Sequence, residues 1–358
     1  MSAQTLDQTP DTDRLNAFLG RMVGDLGAIA SGALVLLGDR LGLFAAMRGG
    51  ARTSSSELAR RTGTHERYVR EWLSAQAAAG YVEYDDASNQ FYLNPEQEAV
   101  FANDASPAFM AGAFEVLASL WLDEGKVAEV FRSGRGLSWH DHSRCLFRGT
   151  ERFFRPGYNA NLVSAWLPSL DGVVAKLERG ATVADVGCGH GSSTIVMARA
   201  FPKSRFVGFD YHPASIEVAR EAARDMGVAD NTRFEVADAR SFSGRYDLVT
   251  FFDCLHDMGD PVGVSAHVRE SLAQDGSWMI VEPFAHDRLR DNLNPVGRIF
   301  YSASTMVCTP CSLSQDVGLG LGAQAGELRL RQVVSAGGFG RMRRATETPF
   351  NLVFEAKA

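Results

Sequence analysis

Apolar positions recur at helical spacing from Leu15 to Arg48, densest at Ala28-Ile29-Ala30 and Leu34-Val35-Leu36-Leu37. A Ser/Thr run at 53–56 then leads into a short apolar-striped segment closed by Gly63, as an N-cap and C-cap would. The spacing predicts a second helix over 65–79, stopped by Gly80, and the alternation over 81–93 predicts a two-stranded hairpin. Helix, turn, helix and wing in that order predict a winged-helix-like domain. Residues 101–180 look helical, interrupted by Gly134, Gly136 and Pro156-Gly157. Beyond Ala181 the period changes. Short apolar strands are expected at 182–186, 204–210, 232–238, 246–252 and 277–282, with helical stretches between them, so the sheet should be parallel and doubly wound. Two last strands, near 340–346 and 350–357, are joined by too short a turn for a crossover and should pair antiparallel. The expected domains are a disordered tail (1–14), a winged-helix-like dimerisation domain (15–100), a helical connector and active-site cap (101–180) and an α/β domain (181–358). The dimer expectation rests on Val35, Leu36 and Leu37, whose stretch is more apolar than packing within one domain requires.

Composition narrows the functional classes. A chain of 358 residues has room for about two domains, and 45% hydrophobic with 22% charged content is ordinary for a soluble globular protein. The net charge of −7 argues against a surface that tracks phosphates. Over 51–81 five arginines face three glutamates, and the wing carries Glu83, Asp85 and Asp86, so nucleic-acid binding is not expected. The longest uncharged apolar stretch, 26–38, is 13 residues, too short to span a bilayer, and the polar, acidic N-terminus has no signal-peptide core. Five scattered cysteines fit no disulfide framework and suggest the reducing cytoplasm.

The sharpest motif is Asp185-Val186-Gly187-Cys188-Gly189-His190-Gly191-Ser192, at the end of the first expected strand and opening a helix. Glycines let the backbone approach a ligand closely, and the helix N-terminus offers unpaired N–H groups. A dinucleotide fingerprint needs Gly-x-Gly-x-x-Gly, and an acid before the glycines would repel a pyrophosphate. The positive end of S-adenosylmethionine suits Asp185, and its methionyl carboxylate suits the helix N-terminus. Asp210 ends the second strand, where a carboxylate can hold both ribose hydroxyls; Asp238 ends the third, within reach of an adenine amino group. Tyr211, Ala239 and Asp253 stand beside these positions and complete the expected cofactor set.

These residues resemble class I S-adenosylmethionine-dependent methyltransferases over 181–358, whose fold is a Rossmann-like seven-stranded α/β sheet. Leu255-His256-Asp257-Met258-Gly259-Asp260 is similar to the His-Asp-Trp-Ser-Asp motif of plant-type small-molecule O-methyltransferases, which also carry an N-terminal winged-helix dimerisation domain. A bacterial winged-helix methyltransferase group with a Cys-Thr-Pro-like lid segment is similar too. The resemblance implies S-adenosylmethionine as cofactor, S-adenosylhomocysteine as product, a homodimer, His256 as general base and Glu282 as the carboxylate that orients it. Met258 stands where the family has Trp. An imidazole near 6.5 facing a phenol near 10 is mismatched by roughly 3.5 units, about 5 kcal/mol, so proton removal should accompany attack. Tyr158, Asn159, Met306 and Cys308 are expected against a small-molecule acceptor. Trp139-His140-Asp141-His142 reads as an exposed polar loop, and the Cys308-x-x-Cys311 pair as lid cysteines; no metal site is expected. Two other readings are carried: a C-methyltransferase of an enolisable keto acid, assisted by a metal at His256, and a cofactor-sensing winged-helix transcription regulator.

Overall fold

The computed structural model describes residues 10–358, and the chain divides into one compact unit ending at Phe114 and a second beginning at Glu115. Of the expected tail, 1–9 lie outside the described residues. Its last three residues are already helical, because Asp11 caps helix α1 (Thr12–Arg40) by accepting from the Asp13 and Arg14 N–H groups at 3.0 and 2.9 Å.

The first unit has the predicted order. Helices α2 (Ser55–Thr62) and α3 (Glu66–Ala78) are followed by the antiparallel strands β1 (Glu83–Asp85) and β2 (Gln90–Tyr92), then by helix α4 (Pro95–Phe101). Ser54 caps α2, Gly63 ends it at φ +65°, and Asn94 and Gln97 form a capping box on α4. The core gathers Val35, Phe44, Met47, Leu58, Val69, Trp72 and Leu73. Gly38 is required where α1 passes α3: a Cβ there would stand 2.4 Å from the Trp72 ring. Val35 therefore serves this unit's own core, Leu36 is buried as well, and of the expected partner triad only Leu37 is exposed. The exposed apolar residues of α1 lie earlier, at Leu15, Phe18, Leu19, Met22, Val23, Leu26 and Ile29. Because Arg21 and Asp25 are its only charges there, α1 is long and apolar enough to cross a membrane by composition, with a mean hydropathy of 1.4.

Helix α5 (Ala111–Ser133) contains the unit boundary, and α6 (Arg144–Asn161) and α7 (Val173–Arg179) follow it, so the stretch read as helical is helical. A seven-stranded sheet then runs through β3 (Thr182–Val186), β4 (Arg205–Asp210), β5 (Thr232–Val236), β6 (Tyr246–Phe252), β7 (Leu272–Pro283), β8 (Arg341–Glu347) and β9 (Asn351–Lys357). Its spatial order is β5-β4-β3-β6-β7-β9-β8, with β3 to β7 parallel and β9 antiparallel to both neighbours. Helices α8 (Ser192–Ala200), α9 (Pro213–Asp225), α10 (Pro261–Ser271), α11 (Pro295–Ala303), α12 (Thr309–Leu313) and α13 (Gly326–Ala336) connect and cover it. Alternation along β6 places Leu248 and Phe252 in one apolar layer with Trp166, Leu177 and Ile216, and Val249 and Phe251 in the other with Phe209, Trp278 and Val334. This is the expected mixed α/β architecture. The ligand-binding edge is the row of C-terminal ends of β3 to β7.

Candidate active site

The glycine loop leaves β3 at Val186 and enters α8 at Ser192, with Gly187, Gly189 and Gly191 all at positive φ. A Cβ on Gly187 would stand 2.8 Å from the Cys254 Sγ, and one on Gly191 2.8 Å from the Phe234 ring, so neither position takes a larger residue without displacement. Gly187 and Gly189 line a cavity of about 410 Å³; Gly191 packs behind it. Asp210 reaches the same cavity from the end of β4, where it accepts from the Gly189 N–H at 2.9 Å and the His212 N–H at 2.8 Å. Burial pushes its carboxyl above the usual range. Tyr211, Asp238 and Ala239 line the cavity too; Arg240 hydrogen-bonds Asp238 and holds its carboxyl below the usual range. Asp185 differs from expectation. Its oxygens accept from Ser193 (2.7 Å), Thr194 (2.6 Å) and Thr250 (3.0 Å), and it is fully buried away from the cavity. Its short side chain is tied to α8 and β6, which places it behind the loop and off the cavity wall.

After β6 the chain turns sharply: Asp253 takes φ +51°, and Leu255–Asp257 form a 3₁₀ turn. Glu282, near the end of β7, reaches across. One oxygen accepts from the Leu255 N–H at 3.0 Å, and the other lies 2.6 Å from His256 Nδ1. The opposite ring nitrogen, Nε2, is 3.2 Å from Asp257 Oδ1. Burial works against an imidazolium here, yet the Glu282 and Asp257 carboxylates outweigh it and hold the His256 pKa well above the ordinary imidazole value. His256 is not itself on the cavity wall; Asp253, Cys254, Asp257 and Met258 are. Asp253 Oδ2 is buried without a hydrogen-bond donor, the other Asp253 oxygen accepting from Asn351 at 2.9 Å, while Asp257 Oδ1 is buried against the His256 ring as an ion-pair partner. Burial raises both carboxyls, that of Asp253 strongly. Cys308 sits behind this wall: His256, Asp257 and Cys308 each bring one ligand atom within 4.8 Å of the others, a spacing that could hold a metal ion, at the histidine where the C-methyltransferase alternative put one and the principal reading expected none.

Helix α6 supplies a further wall. Phe147, Thr150, Glu151, Phe154 and Tyr158 fall on one face at three- and four-residue steps and all line the cavity, with Glu151 accepting from Ser192 at 2.7 Å. Of the expected acceptor contacts, Tyr158 is there. Asn159 is exposed one position round the helix, while Met306 and Cys308 lie off the cavity and Cys311 lines it instead. The 139–142 segment is only partly the exposed loop expected: Trp139 lines the cavity and His142 is buried, its Nδ1 3.3 Å from Asp123, which also accepts from the Ser143 N–H and from Lys126. Nothing in the local sequence marks that burial, because Asp123 comes from the preceding helix. The spacing of Thr150, Glu151, Phe154 and Tyr158 was the readable signal for the wall that α6 builds.

Two family models match the chain: a methyltransferase domain over residues 177–325 and an Rv2258c-like winged HTH domain over 29–103. A trans-aconitate 2-methyltransferase from Deinococcus radiodurans is 31% identical over 113 residues, 32% of this chain and 42% of that protein. The chain spans less than half the length of the first curated relatives it matches. Among solved structures, an O-methyltransferase-like protein from Nostoc punctiforme superposes with a TM-score of 0.70 at 19% identity, covering 98% of this chain and 99% of that one. Human N-acetylserotonin methyltransferase, solved with S-adenosylmethionine, superposes with a TM-score of 0.70 at 14% identity and covers 99% of each chain.

Proposed function

We propose that this chain, a class I S-adenosylmethionine-dependent methyltransferase carrying an Rv2258c-like winged-helix domain, methylates a hydroxyl oxygen of a small-molecule acceptor with His256 as the base. The observation that carries the reading is the 2.6 Å contact between Glu282 and His256 Nδ1, one turn from a cavity built by the glycine loop and Asp210. The donor set fits the cofactor: Gly187 and Gly189 bring bare backbone to the wall, Asp210 faces the cavity to receive ribose hydroxyls, and Asp238 with Ala239 closes the adenine end. When bound, S-adenosylmethionine supplies an electrophilic methyl on a sulfonium. The chain does the rest. Glu282 accepts a hydrogen bond from Nδ1–H and leaves Nε2 as the nitrogen that takes a proton. Asp257 lines the cavity and its Oδ1 is 3.2 Å from Nε2, so it is the residue that links an acceptor hydroxyl in the cavity to the base. The aromatic walls exclude water, and positioning supplies much of the rate.

The dimer reading is kept and moved along α1. Leu15, Leu19, Met22, Leu26 and Ile29 recur at three- and four-residue steps and are exposed, as a helix face awaiting a second copy of the chain would be. The five cysteines are free thiols, which supports a reducing cytoplasm. The regulator reading loses ground at the winged helix: Arg52, Arg60, Arg61, Arg67 and Arg70 pair with Asp85, Glu57, Glu57, Glu71 and Glu66, so no arginine of 51–81 is left for phosphate. Incubating the protein with methyl-labelled cofactor and the small-molecule fraction of a cell extract tests the reading. Label should appear on an oxygen of a low-mass product, and its appearance on macromolecules alone, or nowhere, would contradict it.

A further inference from the structure

The methionyl end of the cofactor carries an ammonium and a carboxylate, and burying either is costly unless it is paired. Asp185, expected to meet positive charge on the cofactor, is off the cavity wall and held by three hydroxyls. Most carboxylates that do line the wall are committed elsewhere. Asp210 accepts from two backbone N–H groups and faces the ribose position, Asp238 is engaged by Arg240, and Asp260 caps α10. Asp257 is paired with His256, Asp253 accepts from Asn351 and is disfavoured as an anion by burial, and Asp316 is exposed. Glu151 remains. Its side chain is 16% exposed, on the face of α6 that lines the cavity. Among the described residues its two partners, the Ser192 hydroxyl at 2.7 Å and Arg155 Nε at 3.5 Å, both approach Oε1, which leaves Oε2 for a ligand. The opposite face of α6 is fixed: Arg148 hydrogen-bonds Glu115 at 2.8 Å, and a Cβ on Gly149 would stand 2.7 Å from the Val116 backbone nitrogen. Ser192 opens α8 directly after the glycine loop, so Glu151 stands beside the backbone N–H groups that suit the methionyl carboxylate. Two carboxylates side by side repel, and a cation between them reverses the sign of the interaction. The ammonium, on the carbon next to the methionyl carboxylate, is that cation.

With S-adenosylmethionine as the cofactor, on which the assignment rests, we propose that Glu151, held by the Ser192 hydroxyl, binds the cofactor's α-ammonium. Neither the glycine loop nor the strand-ending acids point to this residue, because it comes from the helix that walls the cavity before the sheet begins. A ligand without the ammonium would leave the Glu151 carboxylate facing the methionyl carboxylate with nothing between them, so the site should discriminate against it.

Calorimetric titration of the full-length protein with S-adenosylhomocysteine and with its deaminated analogue, which has hydrogen in place of the ammonium, tests it. The wild type should bind S-adenosylhomocysteine at least ~10-fold tighter than the analogue, about 1.4 kcal/mol. Glu151→Gln keeps the shape of the side chain and an oxygen for Ser192 but removes the charge. It should weaken S-adenosylhomocysteine by a similar factor and leave the analogue bound as well as before or better, since the analogue's carboxylate then faces no anion. Retained binding of the analogue certifies that the variant folds. Equal affinities in the wild type overturn the proposal without any variant. So does a Glu151→Gln protein that keeps the wild-type preference, and so does one that loses both ligands in parallel, the mark of a residue that only latches α6 to α8. Failure of the wild type to bind S-adenosylhomocysteine would instead sink the cofactor reading itself.

Discussion

Glu282 and Asp257 flank the two ring nitrogens of His256 at 2.6 and 3.2 Å, and the consequence for pH dependence has a definite sign. A base must be neutral to take a proton, and the carboxylates hold His256 protonated to a pH well above its ordinary range. Turnover should therefore rise with pH along a limb centred above about 6.5. Glu282→Gln removes one carboxylate charge and should move that limb down while lowering the maximal rate, and pH–rate profiles of the two enzymes check it; a limb that stays put would detach Glu282 from the base. The same pairing makes a stability statement. His256 contributes stability that is complete below its unfolded pKa, about 6.5, and is lost as pH rises through the raised folded value. Asp210→Ala removes a buried acceptor for the ribose and also frees the Gly189 and His212 N–H groups, with charge-assisted bonds worth about 1.5–3 kcal/mol each. Calorimetry should show S-adenosylhomocysteine binding at least ~10-fold weaker, and unchanged affinity would remove Asp210 from the site.

Helix α1 carries two jobs on two faces. Its C-terminal turns bury Val35 with the core residues of α3, where Gly38 admits Trp72, and its earlier turns leave an apolar stripe open. Truncation of the whole helix would destroy the unit's core along with any partner surface. Single charges on the open face separate the two effects: Leu19→Asp and Leu26→Asp, 51% and 61% exposed, should yield folded monomers by light scattering, with thermal melting little changed. Dimers that persist through both substitutions, or a wild type that is already monomeric, would contradict the dimer face. Helix α6 was similarly half-readable. Its place just before the α/β domain set Tyr158 and Asn159 against the acceptor, but which of them met the cavity depended on how the helix was turned.

Across the whole molecule, what could be read in advance was what local chemistry dictates. Glycines at positive φ, strand-ending acids and the switch from helical spacing to strand alternation each impose their structure within a few residues, so the parallel strands, the antiparallel last pair and the places of Gly187, Gly189, Asp210 and Asp238 on the cavity followed. What escaped depends on meetings between distant segments. Asp185 looked like a ligand carboxylate until Thr250, 65 positions later, was seen to bind it. His142 looked exposed until Asp123 covered it, and Cys308 looked like a pocket thiol until it packed behind Asp257. The central claim joins both kinds of information: a base named by its motif and held by a carboxylate from another strand. Its most direct test is single-turnover methyl transfer by His256→Ala, run beside calorimetric cofactor binding. The account predicts transfer slower by about 10²–10⁴-fold, the usual share of general base catalysis, with partial rescue at high pH and cofactor affinity nearly unchanged. Wild-type transfer in that variant, or a loss of cofactor affinity that parallels the loss of rate, would contradict it.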